Sequence, residues 1–444
     1  MRSLNVWMNG VLVGTWSYGS GDSHRFSYDA RWIESPACRS ISLSLPLNAS
    51  AEIRGASVAN YFDNLLPDNE RIRKRLKARF GTQSNRVFDL LEAVGRDCVG
   101  AVQLLPVGVE PTDYDQTNYE VLDEAGVADQ LRGVPEVFGF RDKGHFDFRI
   151  SIAGAQEKTA LLRVGDQWCI PRGSTPTTHI FKLPLGLVGG YQLDLSHSVE
   201  NEWLSLKLLA ALGLPVASAE MAQFEEQKVL VVERFDRRWI PSQPDKPGWL
   251  ARLPQEDFCQ ALGIAPDQKY ESAGGPGIRD GLRVLQNSRR PDLDQTIFVM
   301  AQFAFWLLAA IDGHGKNFSL RLHAQDQFEM TPLYDVLSAW PFLGNGPNCL
   351  PIREAKMAMA LRGRHLHYRM TEIHSRHWKA LAKGCGIPNV WERMIAMAND
   401  IERAIGHVTS ELPVGYPLEL ADRIFDGVRE QGERFLKSLG DGSF

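Results

Sequence analysis

Six cysteines in 444 residues, at positions 38, 98, 169, 259, 349 and 385, include no CxxC pair and no near neighbours. That spacing suits neither a structural zinc site nor a disulfide framework, and it fits a reducing cytoplasm. Long hydrophobic runs are scarce as well. The longest, residues 297–311, contains Gln302 and stops at Asp312, short of the roughly 18 to 20 residues a membrane span needs, so it reads as a buried helix. The opening Met1-Arg2-Ser3-Leu4-Asn5-Val6 lacks a continuous apolar core, so no secretory leader is expected. An excess of positive charge is missing too. With 49 Lys and Arg against 54 Asp and Glu, the net charge of −5 excludes a uniformly basic surface that coats nucleic acid and leaves only local basic patches. Repeats and low-complexity tracts are absent.

What is present is the balance of a folded protein, 44% hydrophobic and 23% charged. The length calls for two packed domains. Asn9-Gly10 between two β-prone runs predicts an opening hairpin, because Asn-Gly supplies the positive φ angles of a tight turn. Residues 58–91 read as helical, interrupted at Gly81, and complete an α/β module over 1–105. Residues 106–145, rich in Gly, Pro and acids, read as a connecting segment. A second unit, 146–235, shows strands at 159–164, 167–170, 178–183 and 229–232, with a helix at 199–212. The remainder, 236–444, is expected to be mainly helical, with helices at 254–262, 296–311 and 389–405 and one hairpin, 317–322 with 328–330.

The strongest chemical constellation is Ile311-Asp312-Gly313-His314-Gly315-Lys316-Asn317, at the end of the apolar helix, followed by Tyr334-Asp335. Asp-x-x-x-x-Asn is the spacing of a protein-kinase catalytic loop. One carboxylate orients and deprotonates the attacking hydroxyl, while an Asn oxygen and a second carboxylate hold the Mg²⁺ that bridges phosphates. Asp312, Asn317 and Asp335 fit those roles. An isolated Asp more often just caps a loop or turn; three residues in this order point to chemistry.

Lys182 lies in the otherwise apolar stretch His179-Ile180-Phe181-Lys182-Leu183 and needs a partner for its ammonium; Glu202, on the next helix, is the candidate. A strand Lys paired with a helix Glu is the kinase device for holding ATP phosphates, whereas at a strand edge the Lys would simply reach solvent. Just before the first strand of the second unit, Ser151-Ile152-Ala153-Gly154-Ala155-Gln156-Glu157-Lys158-Thr159 supplies small residues that let backbone N–H groups approach phosphate oxygens. It matches no phosphate-loop consensus, and by pattern alone it is an ordinary loop.

Residues 146–162, Pro176-Thr177-Thr178-His179, Val232-Glu233-Arg234-Phe235-Asp236-Arg237, Arg252-Leu253-Pro254-Gln255-Glu256-Asp257 and the 312–317 loop together resemble the HipA family of serine/threonine kinase toxins. Tyr61-Phe62-Asp63-Asn64-Leu65-Leu66-Pro67-Asp68 extends the resemblance into the N-terminal module, so it runs nearly end to end. It implies an α+β chain with an atypical two-lobe protein-kinase fold, an α/β N-terminal half and a mainly helical C-terminal half, binding ATP and Mg²⁺ between them. Asp312 would be catalytic, and Asn317 and Asp335 the Mg²⁺ ligands. Ala153, Gly154, Ala155, Gln156, Glu157 and Lys158 would touch the phosphates together with Lys182 and His314. Tyr334 would join the nucleotide site, and Glu233 and Phe235 would present backbone groups to adenine. Ser151 would be the autophosphorylation site whose two new charges switch the kinase off. Gly315 departs from the pattern, since some relatives carry Ala there.

The resemblance further implies a toxin of a type II toxin-antitoxin module, paired with a HipB-like helix-turn-helix antitoxin, binding operator DNA through that complex, and with no membrane partner. It would be cytoplasmic, or nucleoid-associated in the complex. The implied acceptor is a translation component such as glutamyl-tRNA synthetase, whose phosphorylation halts growth. A small-molecule kinase and a non-catalytic co-repressor remain open as alternatives. Of two basic stretches, residues 71–79 read as a solvated helix face, and Arg362, Arg364, Arg369, Arg376, Lys379 and Lys383 as the preferred DNA-phosphate patch. His365, His367, His374 and His377 read as surface histidines, because nothing nearby completes a zinc shell.

Overall fold

The computed structural model describes residues 1–47, 52–134, 156, 158–245 and 247–440. The chain divides into two compact units. The first comprises Met1–Leu183, Ala222–Gln268 and Ser319–Phe328; the second comprises Pro184–Met221, Lys269–Phe318 and Glu329–Phe444.

The first unit opens with strands β1 (Arg2–Met8) and β2 (Val11–Gly19), which pair antiparallel from Met8↔Val11 outward. Asn9 and Gly10 take φ of 47° and 79°, the left-handed pair that a two-residue hairpin requires. With β3 (Ser23–Tyr28), β4 (Glu52–Arg54) and β5 (Val102–Pro106) they form a five-stranded sheet in the order β4-β3-β2-β1-β5. One face buries Leu4, Val6, Trp16 and Phe26 against Val58 and Phe62 of helix Ala56–Asp63 and Phe88 and Leu91 of helix Val87–Val94. The Trp16 and Phe62 rings stack with centroids 4.0 Å apart. The basic helix Glu70–Phe80 buries none of its residues and stops at Gly81, whose φ of 62° gives the left-handed C-cap.

The unit's second sheet has six strands: β6 (Tyr119–Leu122), β7 (Lys158–Val164), β8 (Gln167–Pro171), β9 (His179–Lys182), Ala219–Phe224 and Gln227–Glu233. Their order runs Ala219–Phe224, Gln227–Glu233, β9, β7, β8, β6. The stretch after Pro106, read from sequence as connecting structure, thus supplies an edge strand and, behind it, helix Glu124–Arg132, whose Val127 and Leu131 pack on Leu161, Ile170, Phe181 and Val231. β6 is nearly all exposed, so it carries no alternation to read; pairing with β8 creates it.

Beyond Phe235 strands are commoner than expected. Arg237–Ile240 pairs with Trp249–Arg252, and Gln255–Asp257 with Ser319–Leu322. The helix expected over 254–262 is therefore only Phe258–Leu262, begun by a capping box in which Asp257 accepts the Gln260 N–H.

The second unit is mainly helical. Its centre is Pro291–Leu307, which buries Phe298, Phe303 and Trp306; Phe303 meets Trp378 and Phe435 at ring centroids of 5.2 and 4.9 Å. The periodic stretch 389–405 is two helices, Val390–Asn399 and Ile401–Ser410, divided at Asp400. Lys356–Arg362 and Leu366–Arg369 form a further hairpin. His377, expected at the surface, is buried and stacks on His367 at 4.1 Å; burial, then His367 and Arg376, lowers its pKa to about 4. Among the described residues no helix is long and apolar enough to cross a membrane.

Candidate functional site

Helix Pro291–Leu307 ends where Ala309 turns to a φ of 50° and the Ala310 N–H reaches back to the carbonyl of Phe305. The chain is thereby turned off the core helix into residues 312–317. Gly313 has no freedom to be larger here, because a Cβ would lie 2.6 Å from the Phe305 ring. The Asp312 carbonyl accepts the N–H of His314, and the His314 carbonyl accepts that of Asn317, winding the loop into a short 3₁₀ turn, Gly315–Asn317.

This turn gathers five of the residues singled out from sequence, all in the second unit. Asn317 is buried, and its Nδ2 donates to the backbone carbonyls of Asp312 (2.8 Å) and Asp335 (3.4 Å). Its amide oxygen, an acceptor, therefore points away from those two carbonyls. Asp335 is held at a φ of 59°. The Tyr334 hydroxyl donates to the Lys316 carbonyl at 2.8 Å. His314 is buried, its Nε2 4.0 Å from a carboxylate oxygen of Asp312. The Asp312 side chain itself is 66% exposed.

Sequence reading missed Tyr270. Its hydroxyl donates to the Asp312 carboxylate, and its ring stands edge-on to His314 at 5.0 Å. The neighbouring Lys269 carbonyl accepts the Gly315 N–H at 3.1 Å. No motif surrounds Tyr270, so only proximity reveals it.

The other candidates lie in the first unit. Lys158 begins β7 and Lys182 ends β9, and the antiparallel register sets them directly opposite one another. This register puts two lysines at the same end of the sheet. Gln156 Nε2 donates to the Leu183 carbonyl at 2.6 Å, fixing the entry to β7. Glu233, exposed, ends the neighbouring strand opposite His179, at the other end of β9 from Lys182. The Phe235 carbonyl accepts from Arg321 Nη2 at 3.2 Å. Ala153, Gly154, Ala155, Glu157 and Ser151 lie outside the described residues. Glu202 is buried on helix Ser198–Ala211 of the second unit.

Residues 4–105 match the HipA N-terminal domain and residues 150–410 the HipA-like C-terminal domain. The chain belongs to the HipA family. The N-terminal match covers the five-stranded module, and the C-terminal match holds both the Lys158–Lys182 pair and the 312–335 cluster. The putative kinase Y4mE of Sinorhizobium fredii is 33% identical over 417 residues, 93% of each chain. The serine/threonine-protein kinase toxin HipA of Shewanella oneidensis is 26% identical over 431 residues, 93% of this chain and 90% of that one. This is the family of HipA-like serine/threonine kinase toxins. The HipA chain of a Shewanella oneidensis HipA, HipB and operator DNA complex shares the α+β fold, with a TM-score of 0.79 at 24% identity, covering 98% of this chain and 97% of that one.

Proposed function

We propose that this HipA-family chain is an ATP-dependent serine/threonine protein kinase that transfers the γ-phosphoryl group of ATP to a protein hydroxyl. The observation that carries the reading is the bridge from Asn317 Nδ2 to the carbonyls of Asp312 and Asp335, which ties the 312–317 loop to the segment carrying Asp335. The exposed Asp312 carboxylate would accept the proton of the acceptor hydroxyl and orient its oxygen. The donor set also fits a hard cation: the Asn317 oxygen and the Asp335 carboxylate would hold Mg²⁺, whose chemistry is to neutralise phosphate charge during transfer.

In the first unit, Lys158 and Lys182 would draw the phosphates, aided by the small-residue loop of Ala153, Gly154 and Ala155. By the family resemblance, backbone groups of Glu233 and Phe235 would face adenine, while the Phe235 carbonyl accepts from Arg321 Nη2. Autophosphorylation of Ser151 would place about two negative charges beside this phosphate site and repel ATP.

The toxin role and its partners follow from the relatives. A HipB-like antitoxin would hold the kinase in check in the cytoplasm. Together they would bind operator DNA, with the exposed Arg362, Arg364, Arg369, Arg376, Lys379 and Lys383 contacting phosphates. The acceptor would be a translation component such as glutamyl-tRNA synthetase.

Transfer from labelled ATP with Mg²⁺ tests the reading in wild type, Asp312→Ala and Ser151→Ala, alone and with cell extract. Label on Ser151 and on an extract protein, both lost in Asp312→Ala, is the expected result. Folded wild-type protein that takes and transfers no label would overturn it in favour of a non-catalytic co-repressor.

A further inference from the structure

Two of the sequence signatures, 232–237 and 252–257, contribute side chains that the proposed chemistry does not use. Arg234, Asp236, Arg237 and Arg252 turn inward, and all three guanidiniums are at most 2% exposed. They converge on one carboxylate from the N-terminal module. Asp97 Oδ1 lies 2.7 Å from Arg237 Nη2 and 3.3 Å from Arg252 Nε, and its Oδ2 lies 3.2 Å from Arg234 Nη1. Oδ2 also accepts the hydroxyl and the N–H of Thr177, at 2.7 and 3.1 Å.

We propose that Asp97 is a positioning residue for nucleotide recognition, clamping the backbone of Glu233–Phe235 from the N-terminal module. The proposal rests on the kinase reading above, which assigns that backbone to adenine. Arg234 and Asp236 both point into the clamp, where Asp236 accepts Arg234 Nε at 3.0 Å and the Gly100 N–H at 2.7 Å. Phe235, between them, is thereby fixed at both flanks. The Arg234 N–H donates to the Thr178 carbonyl, so the next residue after the strand stays in register with β9.

The cluster holds three positive charges and two negative ones, and the surplus is met by main-chain dipoles. Arg234 and Arg237 donate to the Cys98 carbonyl at 2.8 and 3.0 Å, Arg237 to that of Gly100 at 2.8 Å, and Arg252 to that of Ser174 at 2.9 Å. Burial alone would raise the Asp97 pKa; Arg237, Arg234 and Arg252 outweigh it and hold the carboxyl well below the usual range. Removing Asp97 leaves three buried guanidiniums facing one acid, so the segment carrying two of them must shift. The N-terminal module is therefore part of the nucleotide apparatus, not an appendage to it.

Calorimetric binding of the Mg²⁺ complexes of AMP-PNP and its guanine counterpart to the full-length protein tests this, in wild type, Asp97→Asn and Thr177→Val. Asp97→Asn is expected to weaken AMP-PNP binding by about tenfold or more, the scale of a displaced binding group, and to lower the preference for adenine over guanine. Thr177→Val, which removes the hydroxyl that donates to Asp97 and accepts from Arg234 Nη1 but changes no charge, should shift both readings in the same direction by less, and it decides the matter if Asp97→Asn does not fold. Wild-type affinity and preference in the variants would overturn the proposal, as would an equal loss for both nucleotides, which marks general loosening. A wild type that binds neither nucleotide would overturn the kinase reading and this proposal with it.

Discussion

Asn317 donates its side-chain amide to the backbone carbonyl of Asp312, five residues earlier, at 2.8 Å. The amide is buried while the Asp312 carboxylate is exposed, so Asn317 supports the fold as well as the proposed site, and the Asp312 carboxylate contributes little to the fold. Substitutions at the two should therefore separate. Asp312→Asn is expected to abolish transfer, by about 10³-fold or more, with an unchanged melting temperature. Asn317→Ala should lose transfer and also cost about 1–3 kcal/mol, because it removes both hydrogen bonds that the Asn317 amide makes to the carbonyls of Asp312 and Asp335. Paired activity assays and thermal melts check both.

Gly313 packs against Phe305, and a Cβ there would approach the ring to 2.6 Å. Gly313→Ala should displace the Asp312 loop and lower kcat by about 10²-fold, the cost of a misplacement near 1 Å. Phe305→Leu in the same chain should restore part of the loss, a coupling that a double-mutant cycle in kcat measures.

Lys158 and Lys182 face each other across β7 and β9. Anions that bind between them stabilise the folded state by mass action, by about 2.7 kcal/mol at a hundredfold excess over Kd. ADP or pyrophosphate should raise the melting temperature of wild type, and Lys182→Met should cut that rise by about half or more. An equal rise in the variant would remove the pair from the phosphate site.

Glu256 is buried; one carboxylate oxygen accepts the Leu43 N–H at 2.9 Å, and burial pushes its pKa up to about 8. The folded chain thus keeps a proton that the unfolded chain gives up above its ordinary value of about 4.3. Between about 4.3 and about 8 the native state binds more protons, so stability falls as pH rises through that window. Glu256→Gln should flatten this decline, and its advantage over wild type should be larger at about pH 9 than at about pH 6. Denaturant midpoints at the two pH values read it directly.

Much of the fold was legible locally. Asn9-Gly10 fixed the first hairpin through its two positive φ angles, and the strands read at 159–164 and 167–170 are β7 and β8. The order Asp312, Asn317, Asp335 anticipated one cluster, and the Asn317 side chain links the backbone of Asp312 in its own loop to that of Asp335, 18 residues on. Tyr270 had no local mark, since its contact with Asp312 crosses 42 residues of chain.

By itself the sequence determined the first hairpin turn, the long apolar helix before Asp312 and the family, because each is written in neighbouring residues or in motifs kept in order. Only the tertiary structure decided that an exposed segment after Pro106 becomes a sheet edge, and that His377 is buried against His367. It alone brought Asp97 to three arginines 137 to 155 residues away. Such pairings depend on burial, which removes water as the competing partner for each charge, and burial belongs to the packed chain and not to any stretch of it.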